Sequence, residues 1–228
     1  MEKKYEIVDL DKSTLPDYCF KAVVSGNSGV GKTSIIRYEI YNEFKEENKS
    51  TIVFEHFYKS YRICDKVIRL QIWDTCGEET YDDLMKNFYR SALCIFIVFS
   101  VDDEGSFLNL NKWINDVKNL NENDSPIVIL IGNKKDNLSE RKVSMEDIEN
   151  YCKKHDIDTY FETSAKNGDS IHELFKEVIR KLYIKFIEPI CSDAYSTKTF
   201  DSTSQNSEVN HRCGIDSDKC KVCDCLVY

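Results

Sequence analysis

Apolar residues fall into short runs along the first part of the chain, and each run predicts a strand. "CFKAVVSG" at 19–26 ends in a glycine, and "VIRLQIWD" at 67–74 alternates apolar with polar before stopping at Asp74. "ALCIFIVFSV" at 92–101 and "PIVILIG" at 126–132 are continuous, as expected for parallel strands buried on both faces. A shorter run, "DTYF", ends at Phe161. Helical periodicity fills the spaces between. Phe107, Leu110, Trp113, Ile114, Val117 and Leu120 form one stripe, and Ile171, Leu174, Phe175, Val178, Ile179 and Leu182 form another. Ser170 and Glu173 have the spacing of a capping box before the second stripe, and Ser144 with Asp147 starts a weaker helix. Strands alternating with helices predict an α/β fold over residues 18–187. Residues 1–17 read as an N-terminal extension. Residues 188–228 are rich in Ser, Thr and Asp without apolar periodicity, and read as a disordered, cysteine-containing tail. No internal repeat is visible.

The first chemistry lies where the first strand ends. "GNSGVGKTS", residues 26–34, fits the spacing G-x-x-x-x-G-K-[ST] with Gly26, Gly31, Lys32 and Thr33. Glycines let such a loop wrap with its N–H groups inward, so Ser28, Gly29, Val30 and their neighbours can cradle phosphate oxygens. Lys32 adds a point charge toward the β- and γ-phosphates. The Thr33 hydroxyl is a ligand for Mg²⁺. Ser34 follows in the first turn of the helix, whose positive end faces the same place. Asp74, at the end of a neighbouring strand, is placed to reach the metal through a water.

A phosphate loop does not choose a base. "NKKD" at 133–136 follows the strand "PIVILIG". A carboxylate at Asp136 can accept from both the ring N–H and the exocyclic amine of guanine, whereas adenine offers the wrong donors. Asn133 can tie the loop together, and the stem of Lys134 can cover the face of the base. "ETSAKNG" at 162–168 supplies Ser164, Ala165 and Lys166, with the Ala165 N–H a candidate donor to the guanine O6.

Composition narrows the class further. The 228 residues are 41% hydrophobic with a net charge of -9, which argues against a nucleic-acid partner but not against a small anion held by one loop. The charged start "MEKKYEIVDLDKSTL" has no apolar signal core, and "ALCIFIVF" is too short to span a bilayer, so a cytosolic protein is expected. Of ten cysteines, Cys191, Cys213, Cys220, Cys223 and Cys225 lie in the last 38 residues, and the rest read as thiol filler.

The ordered set "GNSGVGKTS", Thr51, "WDTCG", "NKKD" and "ETSAK" resembles the small GTPases of the Ras superfamily. "LQIWDT" followed by "FYRSA" and a cysteine-rich C-terminus resembles the Rab branch in particular. The resemblance implies a P-loop small-GTPase fold with a six-stranded, mostly parallel sheet and about five helices. It also implies GTP or GDP with Mg²⁺, slow hydrolysis and two switch segments. It further implies control of vesicle traffic, by a monomer, from the cytoplasmic face of a membrane, in exchange with the cytosol. Effector, exchange-factor and activating proteins are the implied partners. Thr51 matches the switch threonine that ligates Mg²⁺ and senses the γ-phosphate. Phe44 matches the aromatic residue that packs edge-on against guanine, and Gly77 the glycine whose N–H meets the γ-phosphate. Trp73 and Phe88 match two members of the effector-reading patch.

The departures cluster in the switches. Val53 replaces a glycine, His56 replaces the third aromatic of the patch, and "DTCGEE" carries Cys76 and Glu78 where the family has alanine and the catalytic glutamine. The leading expectation is a switch with GTPase activity; the alternative is a constitutively GTP-loaded scaffold with little hydrolysis. A phosphate-loop kinase conflicts with Asp136. Glu78 is either a retuned catalytic position or a solvated loop acid. In the tail, Cys223 and Cys225 form a C-x-C suited to lipidation, and Cys225 also opens a C-a-a-X outline ending in an unusual Tyr. A zinc knuckle built from His211, Cys213, Cys220 and either Cys223 or Cys225, or plain thiols, are the rival readings.

Overall fold

A computed structural model of the chain describes residues 5–11, 13–46, 54–77, 87–120 and 125–191. Its frame is a seven-stranded sheet with spatial order β1-β3-β4-β2-β5-β6-β7. The strands are β1 (Ile7–Leu10), β2 (Tyr18–Ser25), β3 (Phe54–Ile63), β4 (Lys66–Thr75), β5 (Cys94–Ser100), β6 (Ile127–Asn133) and β7 (Tyr160–Glu162). β2 runs parallel to β4 and β5, and the parallel set continues through β6 and β7. β3 is antiparallel to both β1 and β4.

Side-chain alternation divides the core between the two faces. Ala22, Val24, Phe96 and Val98 point toward α1 (Lys32–Tyr41) and α5 (Ile171–Leu182). Val23, Ile95, Ile97 and Phe99 point toward α3 (Leu110–Leu120) and α4 (Met145–His155). Every residue of β5 is buried, which explains its unbroken apolar run. The last helix continues through a π turn at Tyr183–Ile187.

The sheet has one strand more than the family resemblance implies. The extra strand is β1, inside what reads as an extension. Four residues are too few to show a period, and β1 forms because it docks on the edge of β3, Ile7 opposite Ile63 and Leu10 opposite Ser60. Lys59 fastens it, with Nζ 2.8 Å from Asp9 and 2.6 Å from the buried carboxylate of Glu39.

Two helix readings need correction. The stripe from Phe107 is interrupted at Asn109, so a short helix α2 (Glu104–Leu108), capped by Asp103, precedes α3. Asparagine favours such breaks because its amide competes with the helical backbone. The capping box at Ser170 does not form: Ser170 has φ 59°, and its side chain makes no capping bond. A helix N-cap needs extended backbone to aim its oxygen at the next turn. The tight turn through Gly168, closed by the Ser164–Asp169 bridge, delivers Ser170 left-handed instead. At α4 the cap is made, with Ser144 Oγ accepting from the Asp147 N–H at 3.1 Å.

Candidate nucleotide site

The carboxyl ends of β2, β4 and β6 converge on one edge of the sheet, where open α/β folds place their ligands. The loop between β2 and α1 wraps there with its carbonyls tied back to the protein. Lys32 is only 6% exposed. Its Nζ donates to the carbonyls of Gly26 at 2.9 Å and Asn27 at 2.8 Å. Burial lowers the Lys32 pKa to about 8, against the opposing pull of Asp74. The Val30 carbonyl accepts from Asn133 Nδ2 at 2.9 Å. Gly31 has φ 95°, and a Cβ there would lie 2.2 Å from that same Nδ2, so glycine is required twice over. Ser28 and Gly29 are exposed at the crest of the loop, while Val30 is buried beneath it; Ser34 is half-buried in the first turn of α1.

Below the loop, Thr33 Oγ1 donates to Asp74 Oδ2 at 2.5 Å. Asp74 is fully buried, and its other oxygen, Oδ1, has no hydrogen-bond partner among the described residues. Burial raises the Asp74 pKa to about 6, with Thr33 and Lys32 opposing the rise and Glu55 adding to it. A buried carboxylate oxygen left without a donor is costly. Beside a threonine hydroxyl it is half of an oxygen-ligand set for a hard divalent cation, so these residues fit Mg²⁺. Gly77 closes the cradle from the far side: a Cβ on it would stand 2.2 Å from the Ser28 nitrogen, so only glycine lets the chain after β4 lie against the loop.

The second loop pair is knitted by Asn133, at the end of β6 and 2% exposed. Its Oδ1 accepts from Thr163 Oγ1 at 3.1 Å and from the Ala165 N–H at 3.2 Å. Through this bond Ala165 ties its loop to the end of β6. Asp136 Oδ1 accepts from Ser164 Oγ at 2.6 Å, which in turn accepts from the Asn167 N–H. Lys134 sits at φ 64°, its Nζ 3.6 Å from Asp102. Asp102 escaped the sequence reading. It is fixed by the Ser100 hydroxyl at 2.5 Å and the Asn137 amide at 3.1 Å. Lys166 is exposed, and Phe44 lies 38% exposed beyond the end of α1. Thr51, Glu78, Cys223 and Cys225 lie outside the described residues.

Trp73 and Phe88 do meet, at 5.5 Å between ring centroids. Phe54, which the sequence reading passed over, completes the aromatic group at 5.0 Å from Phe88 and 5.4 Å from Trp73. His56 also touches Trp73, at 5.0 Å. The signal was the two-residue period of β3, which sets positions 54 and 56 on one face. A cleft of about 700 Å³ between α3, α4 and α5, lined by Val117, Pro126, Ile157 and Ile184, lies at the amino end of β6 and takes no part in this edge.

The Ras family model matches residues 21–184. The chain is 36% identical to the Ras-related protein Rab-9A of Rattus norvegicus, over 72% of this chain and 82% of that one. It is 35% identical to the Ras-related protein RABA1b of Arabidopsis thaliana, over 73% and 76%. It is 38% identical to the GTP-binding protein ypt3 of Schizosaccharomyces pombe, over 73% and 77%. This chain belongs to the Ras family. Within it, the chain is a Rab-type small GTPase. Ras-family GTPases in general bind GTP or GDP with Mg²⁺. Among the described residues, no helix of this Rab-type protein is long and apolar enough to cross a membrane.

Proposed function

We propose that this chain is a GTP-dependent switch in vesicle traffic that hydrolyses GTP slowly and works from the cytoplasmic face of an intracellular membrane. The observation that carries the reading is the Thr33–Asp74 pair, with the lone oxygen of the buried Asp74 carboxylate, directly beneath a glycine loop already shaped by Lys32 and Asn133. The loop N–H groups of 26–34 and Lys32 bind the phosphates. Asp136 reads the two guanine donors, and Phe44 and Lys134 cover the base. Thr33, Asp74 and Thr51 hold Mg²⁺, which when bound neutralises charge on the β- and γ-oxygens. Gly77 turns its backbone toward the γ-phosphate. Effector, exchange and activating proteins read the Trp73, Phe54 and Phe88 patch and the adjoining switches.

Glu78 supports a second reading, a scaffold that stays GTP-loaded. The family's glutamine accepts from the attacking water and donates toward the transferred phosphoryl. An ionised glutamate keeps only the acceptor and adds a negative charge. Single-turnover hydrolysis, alone and with a Rab-type activating protein, separates the two. Wild type is expected to hydrolyse slowly and respond poorly. Glu78→Gln should leave nucleotide affinity unchanged and raise the stimulated rate at least ~10-fold, a small part of the roughly 10³–10⁵ that an arginine supplied in trans is worth. A wild type that already responds fully, with no change in the variant, removes Glu78 from the chemistry.

Membrane attachment is assigned to Cys223 and Cys225. Two lipid chains anchor stably and one gives marginal binding. Charge supplies no second signal, since residues 188–228 carry Lys198, Arg212, Lys219 and Lys221 against seven acids. The double variant Cys223→Ser, Cys225→Ser should therefore move the protein wholly into the soluble fraction. Unchanged sedimentation with membranes would refute the assignment.

A further inference from the structure

Ser25 is the last residue of β2 and directly precedes the phosphate loop. It is fully buried, yet its side chain is a hydroxyl at the end of an apolar run, Ala22-Val23-Val24. Its partner comes from 64 residues away: Tyr89, also fully buried, donates its hydroxyl to Ser25 Oγ at 2.8 Å. On the other side of Gly26, Asn27 Oδ1 accepts from the indole N–H of Trp113 at 3.1 Å. Tyr89 and Trp113 belong to one apolar cluster with Val23, Ile97 and Phe99, on the α3 and α4 side of the sheet. The two residues flanking the first glycine of the loop are thus each gripped by an aromatic donor from the core behind them.

We infer that Tyr89 is a positioning residue for nucleotide binding, acting through Ser25 to hold the phosphate loop in register. The inference rests on the guanine-nucleotide reading above. A tyrosine hydroxyl in an apolar core needs a hydrogen-bond partner, and Ser25 accepts from this one at 2.8 Å. With the bond made, the strand end is pinned laterally, and the carbonyls of Gly26 and Asn27 are held by Lys32. That leaves the backbone of the loop one arrangement in which to meet an anion, and pre-arrangement of this kind slows ligand release. With the bond lost, the lateral pin on the strand end is gone, and the end of β2 is free to shift against the core behind it. Tyr89 also follows Phe88, which lies in the aromatic group with Trp73 and Phe54, so one short segment spans from the surface patch to the loop.

The test measures dissociation of a fluorescent GDP from the Mg²⁺-loaded full chain for wild type, Tyr89→Phe, Ser25→Ala and the double variant. Each single variant is expected to release nucleotide roughly tenfold faster, equivalent to about 1.4 kcal/mol. The double variant should be no faster than the quicker single, because both remove the same bond. Tyr61→Phe serves as the control. It deletes another fully buried hydroxyl bond, to Glu39 at 2.8 Å, and should lower thermal stability without changing release. Unchanged release in both single variants, additive effects in the double, or equal acceleration by Tyr61→Phe would each overturn the inference. A wild type that retains no guanine nucleotide would overturn the functional reading itself, and this inference with it.

Discussion

Asp136→Ala should weaken binding of GTP and GDP by two to four orders of magnitude while leaving the fold intact. In the proposed base site the carboxylate would accept from two donors on guanine, and a hydrogen bond to a charged group is worth roughly 1.5–3 kcal/mol. Two of them give about 3–6 kcal/mol, or roughly 10²–10⁴ in affinity. The side chain is already aimed: the Ser164 hydroxyl, itself fixed by the turn at Asn167, donates to Oδ1 at 2.6 Å. Little rotamer freedom is therefore lost on binding, and the expected loss lies in the upper half of that range. Asp136 is half-buried and outside both apolar clusters, so its truncation should not unfold the domain. Titration calorimetry with GDP, GTP and ATP checks the claim. The expected pattern is a large loss for the guanine nucleotides and no gain for ATP. Equal affinity for GDP before and after the substitution would remove Asp136 from the base site.

The sequence exposed those parts of the molecule whose signal is local. β2, β5 and β6 announce themselves as apolar runs, and the loop at 26–34 by the spacing of Gly26, Gly31 and Lys32. β1 and β3 were less legible. β1 is short, and β3, "FEHFYKSYRI", is exposed over its first half, so its apolar residues do not form a run. Phe54 was hidden for the same reason. Ser170 shows the limit of motif reading: its spacing to Glu173 is right, but the turn before it sets a backbone that cannot cap. The pairs that fasten the site were invisible for a different reason. Ser25 with Tyr89, Asn27 with Trp113, and Lys134 with Asp102 join residues far apart in the chain, and no period or spacing marks them. Only the sheet order makes them neighbours: β2 beside β5 for the first two pairs, and β5 beside β6 for the third.

Asp74→Asn should make the metal-free protein more stable at pH 7.5 and the nucleotide complex insensitive to Mg²⁺. Asp74 carries its charge in a fully buried place, and burial raises its pKa from 3.8 to about 6. The folded state binds the proton more tightly than the unfolded state, so the cost of the buried charge is fully present above pH ~6 and fades as pH falls toward 3.8. A difference of about two pKa units sets that cost at about 3 kcal/mol at most. Asparagine keeps the shape and an oxygen to accept from Thr33 Oγ1, but removes the charge. In EDTA without nucleotide at pH 7.5, the variant should melt roughly 5–10 °C above wild type, and the gap should close between pH 6 and pH 4. With GDP and Mg²⁺ the order should invert, because only wild type gains the ligand-linked stabilisation of a metal bound by a carboxylate. Release of GDP from wild type should then accelerate on chelation, while release from the variant should be fast with or without metal. A variant that melts below wild type in EDTA would show that Asp74 is kept for structure. The inversion would show that its uncompensated oxygen is maintained, at a cost in stability, for the cation.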